Sequence, residues 1–292
     1  MSDSEHGETP DDAEDFRFPD SQPASETTPT GPAQIEVRPP EQSSRRLMHY
    51  LELALKRLTS SIEVEGRDHL NEIPATRNLV VATSHLTDLD ILLSAHALGN
   101  DLNLAIADAS LNHRFMANAP VALLERIVGK ESFIPIDYRK TRSGYSPRAF
   151  NPRNFDPMLA RMESNGERIL IAAHNPSSDG QFTRAGYGAA YLAEISHALV
   201  LPVAVDVEGS ERGIGQTARA FQTYLAQPKA RVRIGQPFEL DHIAGIEHLG
   251  EIIGDNRSSE DRQEFFRLKA SLEQSADEIL NKVKALSPRQ KS

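Results

Sequence analysis

Val80-Val81-Ala82-Thr83-Ser84-His85-Leu86-Thr87-Asp88-Leu89-Asp90-Ile91-Leu92-Leu93 is the stretch on which the reading of this chain turns. Its start is an apolar, β-branched run that predicts a strand ending at Thr83, and its end is an apolar run that predicts a helix. His85 falls on the turn between them, with Asp88 three residues later and Asp90 five. A turn folding into a helix can bring either carboxylate back toward the imidazole. A carboxylate on one ring nitrogen fixes the tautomer and supports the imidazolium, leaving the other nitrogen to take a proton from a hydroxyl. The structural alternative is a helix N-cap at Ser84 or Thr87, acidic residues in the first turn, and an incidental His.

Outward from this stretch, β-type and helical patterns alternate. Strands are expected at 62–66, 79–83, 102–107, 133–137, 168–173, 199–207 and 230–235, with helices near 88–99, 113–128, 155–164, 184–197 and 213–226. Residues 138–154, rich in Arg, Ser, Gly, Pro and Asn, read as one long loop. A last helix is expected at about 259–286, with Phe265, Leu268, Leu272, Ala276, Ile279, Val283 and Leu286 forming a packing stripe. The alternation predicts an α/β fold over 61–290, a single domain with a largely parallel or mixed central sheet flanked by helices. Gly186 and Gly188 are expected to permit close packing of a helix.

Residues 1–44 hold eleven acidic groups against Arg17 and Arg38, so nine of the ten net negative charges lie there. With almost no large apolar side chains this segment reads as a disordered acidic tail. The remainder is close to neutral, which argues against a nucleic-acid partner. Residues 45–60 form a basic amphipathic pattern, suited to packing on the domain or to lying on an anionic membrane surface. The absence of Cys excludes disulfides, thiolate metal sites and a cysteine nucleophile. With no apolar run long enough for a span and no apolar signal core, a cytoplasmic chain is expected, with peripheral contact at the inner face of the membrane. Neither a Gly-x-Ser-x-Gly elbow nor a His-Glu-x-x-His zinc motif occurs. The Gly186-Tyr187-Gly188 run lacks a dinucleotide fingerprint's third Gly. A metal at His85, Asp88 and Asp90 lacks a second His nearby, so none is expected.

Taken with what precedes it, residues 62–90 resemble the opening of the glycerolipid acyltransferase family, which includes glycerol-3-phosphate and lysophosphatidate acyltransferases. His85 and Asp90 match that family's His-x4-Asp motif. Four later segments resemble its other blocks in order: residues 129–140, residues 169–180, residues 199–205 with Pro202, and residues 231–238. The resemblance covers roughly 60–240. The third block departs from the family pattern of Glu-Gly-Thr-Arg-Ser, because here it reads His174-Asn175-Pro176-Ser177-Ser178. His174 then stands in place of the Glu and Ser177 in place of the Arg, and a neutral Ser does not replace a guanidinium fork on phosphate.

The resemblance implies a glycerol-3-phosphate acyltransferase-like fold and an O-acyltransferase acting in phospholipid biosynthesis. The acyl donor would be acyl-CoA or acyl-carrier protein, used as co-substrate without a further cofactor. The acceptor would be a hydroxyl of glycerol 3-phosphate or a lysophospholipid. It implies His85 as general base and Asp90 as its support; with the family's Arg absent, phosphate binding is expected from Arg139, Lys140, Arg142 or Arg184. His174 is a candidate oxyanion donor, or a satisfied buried His after an apolar strand. A non-catalytic lipid or acyl-carrier binding module and a thioesterase are the alternatives.

Overall fold

The computed structural model describes residues 59–86, 90–98, 104–108, 133–135, 140–141, 144–145, 150–165, 167–174, 181–208, 227–252 and 258–287. For the short strands between 104 and 145 only the backbone course is described. The expected acidic tail, nearly all of 45–60, and the helices near 113–128 and 213–226 lie outside these residues.

Seven strands form one sheet in the order β1-β9-β8-β2-β7-β3-β4. They are β1 (Ser61–Glu65), β2 (Leu79–Thr83), β3 (Leu104–Asp108), β4 (Phe133–Pro135), β7 (Arg168–Ala172), β8 (Leu199–Val207) and β9 (Lys229–Ile234). Every neighbouring pair is parallel except β8 with β9. The sheet is therefore mixed and mostly parallel, as the alternation predicts. Four α-helices are described: α1 (Asp90–Leu98), α2 (Asp156–Asn165), α3 (Tyr187–Ser196) and α4 (Ser259–Leu286).

β2 is buried along its whole length, as a central strand covered on both faces must be. Its side chains alternate between two cores. Val80 and Ala82 face α2, α3 and α4, together with Ile169, Ile171, Val200 and Ala204. Leu79 and Val81 face α1, with Leu170, Leu201, Val203 and Val232. Three layers result, with the sheet in the middle. Among the described residues no helix is long and apolar enough to cross a membrane.

Local chemistry sets the element ends. Ser258 caps α4 through the Asp261 N–H, and the Asp261 carboxylate returns to the Ser258 N–H, a reciprocal capping box. Leu268, Leu272, Ala276, Ile279 and Val283 are buried along that helix, so the expected stripe is a packing face. Gly188 is required by space: a Cβ there would lie 2.7 Å from the buried Phe155 ring and 2.9 Å from Ile171 Cδ1. Gly186 has no such constraint, since an added Cβ would meet its neighbours at an ordinary 3.8 Å. The stretch 138–154 is not one loop. It contains an antiparallel pair, β5 (Lys140–Thr141) with β6 (Gly144–Tyr145), and a 3-10 turn at Pro152–Phe155 started by the Asn151 side chain. Two-residue strands are too short to leave a periodic signal.

The edge strand β1 is tied to β9 by charge as well as by its ladder. Glu63 faces Arg231 and Glu65 faces Arg233 in register, with ion-pair distances of 2.8 and 3.0 Å. Arg233 continues the chain of charges to Asp206 on β8, and Asp206 accepts from the Ser287 hydroxyl just beyond α4.

On α3, Glu194 is buried, and its Oε2 accepts the Ile243 N–H at 3.1 Å. Burial raises its carboxyl pKa above the ordinary 4.5, against the Ile243 hydrogen bond and the attraction of His242 and His197; Asp241 adds to the rise. The folded chain therefore binds more protons than the unfolded chain between the ordinary and the raised value. Stability falls as pH rises through that window. Glu194→Gln keeps an acceptor for Ile243 and removes the titration. Urea midpoints followed from acid to neutral pH should show the variant gaining on the wild type as pH rises. Parallel profiles would overturn this account of Glu194.

Candidate active site

The turn after β2 is buried, so each of its backbone N–H groups must find a partner. Three consecutive amides do so on three different elements. Ser84 N–H donates to the Val203 carbonyl of β8 at 3.0 Å. His85 N–H donates to Nε2 of His174, beyond the end of β7, at 2.9 Å. Leu86 N–H donates to Oδ2 of Asp90, the first residue of α1, at 2.8 Å. The residue in the middle of this pinned triplet is His85.

Asp90 is fully buried, and a buried carboxylate needs donors. It receives the Ser84 hydroxyl at 3.0 Å besides the Leu86 N–H. Its place at the N-terminus of α1 favours the negative charge further. The Ser84 hydroxyl in turn accepts the Val205 N–H at 2.9 Å. Thr83 and Ser94 share a 2.6 Å hydrogen bond that ties β2 to α1 from below. Asp90 thus grips the residues on either side of His85. The His85 Nδ1 is buried with no hydrogen-bond partner among the described residues. Among the described residues no carboxylate is hydrogen-bonded to the imidazole, and Asp90 reaches the residues on either side of it instead. Ser84 is also not a helix cap, because its oxygen serves the neighbouring strand β8; Thr87 and Asp88 lie outside the described residues.

His174 is almost completely buried, and its two ring nitrogens have separate tasks. Nε2 accepts the His85 amide, and Nδ1 lies 3.2 Å from the Thr183 hydroxyl. The Phe182 ring meets it edge-on at 5.1 Å. Both ring nitrogens thus have partners within the protein. A satisfied buried His was the alternative, and its partners on the β2 turn are what the sequence did not show.

His85 and His174 both follow the carboxyl ends of neighbouring parallel strands, β2 and β7. In sheets of this kind that edge is where ligands bind. No family model matches the chain, and no curated protein is significantly similar to it. Among solved structures it is similar to the 1-acyl-sn-glycerophosphate acyltransferase PlsC of Thermotoga maritima. That pair shares 16% identity over 82% of this chain and 80% of that one, with a TM-score of 0.47.

Of the basic residues expected near phosphate, Lys140 is described only as part of β5, and Arg139 and Arg142 lie outside the described residues, as does Ser177 of the third block. The Arg184 guanidinium has partners within the protein. It is paired with Glu273 of α4 and lies 3.4 Å from the Tyr187 hydroxyl. Ser84, Thr183 and Ser94 are the site residues whose roles sequence reasoning missed. A hydroxyl pair closing an apolar strand, Thr83-Ser84, was the available signal.

Removal of the Ser84 hydroxyl should leave the Val205 N–H without an acceptor and Asp90 without one donor. Ser84→Ala is expected to lose about 1–3 kcal/mol in urea unfolding, the cost of an unsatisfied buried polar group. A variant as stable as the wild type would show that the hydroxyl does not hold the turn.

Proposed function

We propose that the protein is an O-acyltransferase that moves a fatty acyl group from acyl-CoA or acyl-carrier protein to a hydroxyl of glycerol 3-phosphate or a lysophospholipid. The observation that carries this reading is His85. It stands in a His-x4-Asp sequence at the carboxyl edge of the central strand, with its turn pinned on three sides and Nδ1 buried without a partner among the described residues. An unsatisfied buried ring atom costs stability, and such groups are kept where chemistry uses them.

His85 takes the proton of the acceptor hydroxyl as its oxygen attacks the thioester carbonyl. A new ester C–O bond forms, and the tetrahedral intermediate collapses with cleavage of the C–S bond. The imidazolium returns the proton to the departing thiolate, so the ring ends the cycle as it began. A positioned base of this kind contributes roughly 10²–10⁴-fold in rate. Asp90 holds the turn that aims it, and bringing two substrates to one edge supplies much of the rest. Arg139, Lys140 and Arg142 are the proposed phosphate ligands. Arg184 joins them by exchanging Glu273 for the substrate phosphate, a like-for-like replacement of one oxyanion by another.

His174 favours a second reading, a lipid or acyl-carrier binding module without catalysis. It stands where the resembled family has an acidic residue, and it is devoted to internal hydrogen bonds.

Thiol release from acyl-CoA and acyl-carrier protein, with products identified by mass spectrometry, separates the two. The acceptors are glycerol 3-phosphate, lysophosphatidate and other lysolipids. Transfer is expected from the wild type, and His85→Ala should lose about 10²–10⁴-fold or more while unfolding cooperatively. Full activity in His85→Ala would overturn the mechanism. Binding of the donor by folded wild-type protein without turnover of any acceptor would select the binding module, and free fatty acid alone would indicate a thioesterase.

A further inference from the structure

We propose that His174 is a positioning residue for His85, a neutral imidazole in the Nδ1-protonated tautomer whose Nε2 lone pair holds the His85 amide. The inference about the tautomer stands on the hydrogen bonds alone. Its consequence for rate rests on His85 being the base of the proposed acyl transfer.

An N–H group donates to His174 Nε2 at 2.9 Å, so that nitrogen presents a lone pair. A neutral ring then carries its proton on Nδ1, where the Thr183 oxygen lies 3.2 Å away and accepts it. An imidazolium would set N–H against N–H at the His85 amide and break the contact. The backbone around His174 is held as firmly as its ring. Ala173 N–H donates to the Thr83 carbonyl at 2.8 Å, Gly186 N–H donates to the Ala173 carbonyl at 2.9 Å, and His174 pairs with Ala185 as an isolated antiparallel bridge. The ring therefore has little freedom, and it transmits the position of β7 to the turn after β2. A side chain 89 positions away in sequence sets the main chain of the reacting residue.

The geometry also ranks substitutions. Gln carries its amide oxygen at the same ε position as Nε2 and can accept the same N–H. Asn carries it one bond short. Met matches much of the bulk and offers only a weak sulfur acceptor.

The first test uses nuclear magnetic resonance on the full chain and needs no substrate. A long-range proton–nitrogen spectrum of the His174 ring should show the proton on Nδ1, and the His85 amide should lose its hydrogen-bonded shift in His174→Met but keep it in His174→Gln. A proton on Nε2 would overturn the proposal outright. The second test is kinetic. In acyl transfer His174→Met should lower kcat by about 10–100-fold with little change in KM, the scale of loss when a reacting group is misplaced by about an ångström. His174→Gln should restore most of it, and His174→Asn should not. Equal impairment in the Gln and Met variants, or wild-type kcat in His174→Met, would overturn the positioning role. If His174→Met does not fold, Thr183→Val serves in its place: it removes the Nδ1 acceptor, and the proton should stay on Nδ1, kept there by the His85 amide, while the loosened ring lowers kcat. A proton on Nε2 or an unchanged kcat in that variant would also overturn the proposal. If the wild type transfers no acyl group, the ring spectrum still decides on His174, so failure of the acyltransferase reading and failure of this one are told apart.

Discussion

Asp90 has to lie at zero exposure and still keep its charge satisfied, and the rest of the site follows from that requirement. Among the described residues it takes donors from residues 84 and 86, one on each side of His85. A carboxylate that takes both a side-chain hydroxyl and a main-chain N–H leaves the intervening residue little choice of conformation. The chain direction through the turn, the start of α1 and the approach of β8 through Ser84 all meet at this one group. Removing it would leave two buried donors and an open turn at once, which is costlier than the loss of any single contact.

The sheet makes such a turn affordable. Strands β8, β2 and β7 are covered on both faces, so most of their residues pack by shape. At the carboxyl edge of β2 and β7 buried polar groups gather, where main-chain ladders end and side chains take over the pairing. Ser84, His174 and Asp90 each complete a backbone bond that the ladder no longer supplies. The edge is thus polar because the strands stop there, and it is rigid because the polar groups are spent on one another.

Much of this was legible in the sequence. The ranges of β2, β8 and α4 match the expectation residue for residue, because uninterrupted apolar runs, Pro and Gly punctuation, and a long apolar stripe are strong local signals. His85 and Asp90 were legible as a pair from their spacing. How they cooperate was not, because the hydroxyl and amides involved belong to residues whose role depends on which strands are neighbours. His174 illustrates the limit: its partners on the β2 turn and at Thr183 follow from the parallel pairing of β2 with β7, which no local pattern encodes. Arg184 has a partner that was equally illegible. A basic residue after the third block read as a phosphate ligand, yet α4 returns from the far end of the chain to supply Glu273.

The alternating charges of β1 carry one further meaning. A strand at the border of a sheet offers unpaired main-chain groups on which another molecule could continue the ladder. Glu63 and Glu65 stand along that border, each matched to an arginine on the inner side only. An incoming second copy of the same border would set its own glutamates beside these, with the compensating arginines already taken. The pairing that fixes the register of the last strand inward thus also discourages growth of the sheet outward.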